Sequence, residues 1–195
     1  ACDKKYTFQI HYPGAGVGGP CLPVNSYQLL NSARRLDDGV LRIIEAAREI
    51  NEHMPYHTVE LLIDALNEIG KSVKNSTIAI LGVSYKPNIR DIQLAPAEEI
   101  IKKLNDLHAK IKIYDPFYKS TEVFSHKTEE NMFDALSGVD AVIIVTAHTE
   151  FKDIDLTLFV SKMKTPVVVD ARGIIDLHTA KKAGLIFRGI GRGKI

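Results

Sequence analysis

Residues 77–85 read TIAILGVSY, an apolar run of strand length that predicts a buried β-strand. Four further stretches of the same kind follow: KIKIYDP (110–116), AVIIVT (141–146), TPVVVDARG (165–173) and LIFRGIG (185–191). Helical periodicity lies between them. Pro96 opens one helix with Glu98 and Glu99 in its first turn, where the helix dipole favours acids, and with Ile100, Ile101, Leu104 and Leu107 as its buried face. Others fall near 129–137, 155–163 and 177–183. Strands alternating with helices predict an α/β fold, a parallel sheet covered on both faces, with ligands received beyond the carboxyl ends of the strands.

Upstream the pattern is different. Residues 6–12 alternate Tyr6, Phe8, Ile10 and Tyr12 as a short strand that Pro13 ends. A glycine- and proline-rich loop, HYPGAGVGGPCLPVN, occupies 11–25 and demands a scaffold to sit on. From Tyr27 the sequence predicts helix. Val40, Ile43, Ile44, Ala47, Ile50 and Met54 form one apolar stripe, Pro55 marks a break and the first turn of a new helix, and Gly70 caps its end. The expected organisation is a loop and helical connector over 1–72 and a Rossmann-like domain over 73–195.

Composition narrows the function. Basic and acidic residues number 25 and 24, a formal net charge of +1, so no field for nucleic acid is present and an anionic ligand must be held locally. Two cysteines, Cys2 and Cys21, exclude a disulfide framework. No apolar run approaches the roughly 18 residues that span a bilayer, and no apolar stretch follows the N-terminal lysines as in a signal peptide. The expectation is a soluble, cytoplasmic protein. The seven histidines make no HExxH motif and there is no CxxC, so no metal site is expected.

Three clusters carry the chemistry. GAGVGG (14–19) contains G-x-G-x-x-G, with Asp37 at the distance of a ribose-binding acid. That match is read as false, because Pro20 and Pro23 follow where a phosphate-facing helix should begin. What the loop does present is Cys21 beside consecutive glycines, either as a nucleophilic thiol or as a small buried hydrophobe. In GVSYKPNIRD (82–91), Tyr85 is placed to stack on a base and Lys86 to neutralise a phosphate; the alternative for Lys86 is a solvated surface lysine. In DARG (170–173), Arg172 points into the same crevice or serves as a capping or ion-pair arginine. Asp115 is a ribose-binding acid or a turn aspartate.

These clusters, in this order, resemble the UDP-glucose/GDP-mannose dehydrogenase family. PGAGVGGPCLPVN (13–25) is similar to its cysteine loop GxGxGGxCxxxD, GVSYKPNIRDIQLAP (82–96) to GxxFKPxxxDxRxSP, and VVVDARGII (167–175) to DxRG. The resemblance implies a UDP-binding domain after a helical region that forms a homodimer, with NAD bound mainly by a preceding Rossmann domain that this chain lacks. It implies oxidation of the C6 alcohol of a UDP-sugar to a carboxylate with two NAD, Cys21 attacking the C6 aldehyde. The GVGGPC loop is closer to members acting on a UDP-hexosamine, UDP-N-acetylmannosamine above all. Gly18, Tyr85, Lys86 and Arg172 fall where the family grips the UDP-sugar. Two positions depart: the family's acid four residues after the cysteine is Asn25, and the arginine that reaches the NAD phosphates is Gln93. Both departures favour the other class considered, a non-catalytic nucleotide-binding or interaction module of the same fold.

Overall fold

A computed structural model describes residues 12–35 and 41–194. Most of the short strand read at 6–12, together with Cys2, His11, Asp37 and Val40, lies outside them.

Two helices precede the sheet, α1 (Leu22–Ala33) and α2 (Arg42–Glu68). Helix α1 begins five residues before the expected Tyr27, because Pro23 sits in its first turn, where a missing N–H costs no intrahelical bond. Nor does Pro55 start a new helix. It lies inside the 27-residue α2 and is buried there. Gly70 does end the helical region as expected: at φ +69° it lets the Lys71 N–H reach the Leu66 carbonyl and its own N–H reach Asn67.

The sheet follows. Its strands are β1 (Thr77–Leu81), β2 (Lys110–Tyr114), β5 (Ala141–Ile144), β6 (Val167–Asp170), β7 (Ile186–Gly189) and β8 (Gly193–Lys194), in the order β2-β1-β5-β6-β7-β8. All pairs are parallel except β7 with β8. The five strands expected between 77 and 191 all form, each trimmed by a loop at its carboxyl end. A two-stranded hairpin, β3 (Glu122–Val123) and β4 (His126–Lys127), and the terminal β8 are additions too short for any periodicity to reveal. Helices α3 (Pro96–Asp106), α4 (Met132–Leu136), α5 (Thr149–Lys152), α6 (Leu156–Lys162) and α7 (Leu177–Lys182) complete the chain, α5 being the one not expected.

Strand residues alternate between two cores. Ile78, Ile80, Ile143 and Val169 face α2 and α3, meeting Leu62, Leu66, Ile100 and Leu104. Ala79, Leu81, Ile144 and Val168 face the other side, meeting Leu136, Phe151, Phe159 and Ala180. Both faces are covered, which is why the strands read as unbroken apolar runs. The helical layer is fastened to the sheet by charge as well. Arg188 on β7, 1% exposed, donates from Nε to Asp64 (2.7 Å) and from Nη2 to Glu68, both on α2. Burial works against the charge on this guanidinium, but its two carboxylate partners outweigh that and raise its pKa.

Candidate active site

Strand order reverses between β1 and β5, since the chain runs outward to β2 on one side and to β6 and β7 on the other. A parallel sheet opens a crevice at such a point, beyond the carboxyl ends of its strands. The loop after β1 carries Tyr85 and Lys86 there, and the loop after β6 carries Arg172.

Strand-end aspartates fix the shape of both loops. Asp115, fully buried just past β2, accepts from the Val83 N–H (2.8 Å), the Ser84 N–H (3.3 Å) and the Phe117 N–H (2.9 Å). His148 adds a further bond at 3.0 Å from Nε2. On its other side the Asn88 N–H donates to His148 Nδ1 (3.0 Å), which places the ring proton on Nε2. The imidazole packs between Phe117 and Phe151 at 5.3 and 5.4 Å. Burial alone would raise the Asp115 carboxyl, but the bonds from His148 and the main chain outweigh it and hold the pKa below the ordinary carboxylate value. Of the two readings of Asp115 the structure supports the turn aspartate. Asp170 does the same for the next loop, accepting from Arg172 (2.9 Å), Gly173 (2.8 Å) and Ile175 (2.8 Å) N–H groups. Sequence reasoning passed over His148. Its place just beyond the carboxyl end of β5 was the available signal.

The glycine loop lies across this crevice. The Gly19 N–H donates to the Gln93 carbonyl (2.9 Å). The Tyr85 ring rests directly on the loop: a Cβ at Gly19 would stand 2.7 Å from the ring, and one at Gly18 would stand 2.9 Å from Tyr85 Cβ. Gly19 also has φ +88°, so glycine is required there twice over. The Arg172 guanidinium lies against Gly14.

One cavity of about 410 Å³ therefore gathers Gly18, Cys21, Tyr85, Lys86 and Arg172, five of the seven residues singled out from the sequence. Its size suits a small molecule. Cys21 is exposed at the start of α1, where the helix N-terminus favours negative charge. Lys86 is exposed and Arg172 half-buried, and neither side chain has a hydrogen bond or ion pair among the described residues. Burial lowers the Arg172 pKa, with Asp170 opposing. A desolvated guanidinium without a partner, beside a lysine, is an arrangement that takes up an anion. A larger cavity of about 570 Å³ on the far side of the Gly16–Val17 turn is walled by Glu52, Glu98 and Glu99, the wrong sign for a phosphate.

The remaining two residues lie elsewhere. Asn25, one turn along α1, lines the groove between α1 and α2. Gln93 is exposed and meets the glycine loop through its main-chain carbonyl, not its side chain. Among the described residues no helix is long and apolar enough to cross a membrane.

Comparison with known proteins agrees with this geometry. Residues 79–177 match the UDP binding domain of the UDP-glucose/GDP-mannose dehydrogenase family, and residues 1–53 match its central domain. The chain is 35% identical over 187 residues to UDP-N-acetyl-D-mannosamine dehydrogenase of Pyrococcus horikoshii, covering 96% of this chain and 41% of that protein. It is 34% identical over 194 residues to UDP-glucose 6-dehydrogenase TuaD of Bacillus subtilis, covering 97% and 41%. Among solved structures, the UDP-D-ManNAc dehydrogenase of Pyrococcus horikoshii superposes with a TM-score of 0.83 at 32% identity, over 100% of this chain and 43% of that one. An NDP-N-acetyl-D-galactosaminuronic acid dehydrogenase of Methanosarcina mazei Go1 superposes with a TM-score of 0.84 at 25% identity, over 94% and 40%. The chain thus spans about two fifths of the length of these relatives. With two of its domains matched in order and the three sequence clusters folded around one crevice, the chain belongs to the UDP-glucose/GDP-mannose dehydrogenase family.

Proposed function

We propose that the chain is the UDP-sugar-binding, thiol-bearing part of a nucleotide-sugar 6-dehydrogenase, which oxidises the C6 alcohol of a UDP-hexosamine to a uronate with two NAD. The observation that carries it is the meeting in one cavity of Cys21 with Lys86 and Arg172, two cations without a partner among the described residues. The cations suit a diphosphate, the Tyr85 ring lines the same cavity, and so does the thiol that would meet the sugar. UDP-N-acetylmannosamine is the favoured substrate, supported by the name of the Pyrococcus relative; the nearly equal identity to a UDP-glucose enzyme makes glucose the control.

NAD supplies the acceptor for the two hydrides. The described residues do not fit it: in the glycine loop the Val17 and Gly19 N–H groups are taken by Asn51 and Gln93, and Gln93 brings no charge to a pyrophosphate. The chain's own chemistry is that of a covalent handle. Cys21 Sγ, as thiolate, bonds to the C6 aldehyde carbon, and the carbonyl oxygen takes a proton to give a thiohemiacetal. Loss of a hydride and a proton from that adduct leaves a thioester on Cys21. Water then attacks the same carbon, the C–S bond breaks, and the thiol returns as the carboxylate leaves. Asn25 is an amide and cannot take the water's proton, so the base for this last step is not at that position.

The proposal includes a homodimer formed through residues 27–69. Ile43 is 86% exposed and Ile50 64% exposed on α2, apolar surface that pairing would cover. Sedimentation of the chain at micromolar concentration is expected to give a dimer.

Calorimetry with UDP and UDP-N-acetylmannosamine tests the ligand, and iodoacetamide labelling of Cys21 tests the thiol. Both nucleotides are expected to bind, the UDP-sugar is expected to slow labelling, and no NADH is expected from the chain alone. A folded chain that binds neither nucleotide refutes the proposal, and robust NAD reduction by the chain alone refutes its division of labour. An inert Cys21 with intact UDP binding supports the second class, a non-catalytic binding module, which the neutral side chains of Asn25 and Gln93 favour.

A further inference from the structure

Helix α2 has a gap in its hydrogen-bond ladder. Pro55 has no N–H to give the Asn51 carbonyl four residues earlier. The glycine loop settles against the helix at this gap. A Cβ at Gly16 would stand 3.4 Å from the Asn51 carbonyl oxygen and 3.2 Å from Pro96 Cγ, and Gly16 has φ +129°. One residue on, the half-buried Asn51 side chain grips the main chain of Val17 from both sides. Its Oδ1 accepts from the Val17 N–H at 2.8 Å and its Nδ2 donates to the Val17 carbonyl at 3.3 Å. That reciprocal pair reproduces with one side chain the bonding of a neighbouring strand. Two residues further, the Gly19 N–H is fixed to the Gln93 carbonyl at 2.9 Å. The loop is thus pinned at 17 and 19, immediately before Cys21.

We propose that Asn51 is a positioning residue for the Cys21 thiol: its amide clasp on Val17 sets where the sulfur stands relative to Lys86 and Arg172. The proposal rests on Cys21 being the group that meets the sugar. Asn51 touches neither the anion-binding cations nor the cavity they line, so its removal separates thiol placement from nucleotide affinity. Two hydrogen bonds of ordinary strength hold the pin, enough for about a tenfold change in its opening.

The test compares the chain with Asn51→Leu, which keeps size and removes both bonds, and Asn51→Asp, which keeps an acceptor for the Val17 N–H and removes the donor. Three quantities are read: UDP affinity by calorimetry, hydrogen exchange at the Val17 amide, and the slowing of Cys21 alkylation by UDP-N-acetylmannosamine. In Asn51→Leu, UDP affinity is expected to stay within about twofold, Val17 exchange to quicken about tenfold, and the slowing of alkylation largely to vanish. Asn51→Asp is expected to fall between, and it decides the matter if the leucine variant does not fold. Unchanged exchange and unchanged alkylation slowing in a folded variant overturn the proposal, as does a loss of UDP affinity matching the loss of slowing, since that marks a general collapse of the site. If the unsubstituted chain binds no UDP, the function proposed above fails, and Asn51 is judged on Val17 exchange alone.

Discussion

Replacing Arg172 by methionine should move stability and binding in opposite directions. The guanidinium is half-buried, its pKa is pressed down by burial, and no acceptor within the described residues pairs with it. A charge held in that way weakens the ligand-free protein. Methionine keeps most of the volume and removes the charge, so a gain of about 1 kcal/mol is expected, since well-packed apolar replacements of buried charge are often stabilising by about 1–4 kcal/mol and this site is only half enclosed. For a chain of this length that is a rise of about 2–4 °C in Tm. A charge-assisted bond to a phosphate contributes about 1.5–3 kcal/mol, so UDP affinity should fall by roughly 10- to 150-fold. Differential scanning fluorimetry without ligand reads the first effect and titration calorimetry with UDP the second. A variant that melts lower than the parent, or that binds UDP within threefold of it, refutes the claim that Arg172 is held unpaired for an anion.

Three further outcomes are expected. Arg188→Met should cost less stability than the double change Asp64→Asn with Glu68→Gln, because Asp64 and Glu68 are 41% and 51% exposed and can rehydrate, whereas Arg188 at 1% cannot; the double variant should lose about 3–5 kcal/mol in urea melts. Asp115 and Asp140 both have carboxyl pKa values below their ordinary one, burial opposing and bonds from His148 and from Lys71 respectively prevailing. Groups depressed in the folded state contribute stability that is complete above the unfolded value near 4 and is lost as pH falls through the folded value, so Tm should drop steeply below about pH 4 and Asp140→Asn should flatten that slope. Asn25→Asp should leave UDP affinity within about twofold, because the side chain faces the α1–α2 groove, where an exposed charge contributes little at a distance; a larger effect would place it in the binding cavity.

The sheet was legible because a strand covered on both faces has only one composition open to it. Ile78 to Leu81 and Val167 to Val169 are fully buried, and nothing polar is tolerated there. The helical region was less legible at its breaks. Proline signals a missing N–H, but the sequence does not say whether the orphaned carbonyl ends a helix or is tolerated within one; at Pro55 it is tolerated, and the Gly16 turn packs beside it. Proline at the first turn misled in the other direction, hiding the true start of α1 at Leu22. Lys86, Arg172 and Cys21 could be singled out because each follows a strand end or a glycine turn. His148 shared that signal, but its role did not show, and Asn51 carried no signal, since their partners, Asp115 with Asn88 and Val17, lie 33, 60 and 34 residues away and only the fold brings them together.

The availability of the two cations follows from how the aspartates beside them are used. Asp115 and Asp170 sit at the carboxyl ends of their strands, beside the loops that carry Lys86 and Arg172, and Asp170 is close enough to Arg172 to act on its charge. Yet Asp115 accepts from three main-chain N–H groups and a histidine, and Asp170 from three N–H groups, so the lone pairs that could capture a cation point into the loops. The same bonds stiffen the loops, so the cations are held apart from those carboxylates without an ordering cost left for the ligand to meet. The glycine loop follows the same rule with the opposite consequence: its amides at 17 and 19 are bonded inward and are not offered to a phosphate, while the exposed Cys21 lines the cavity.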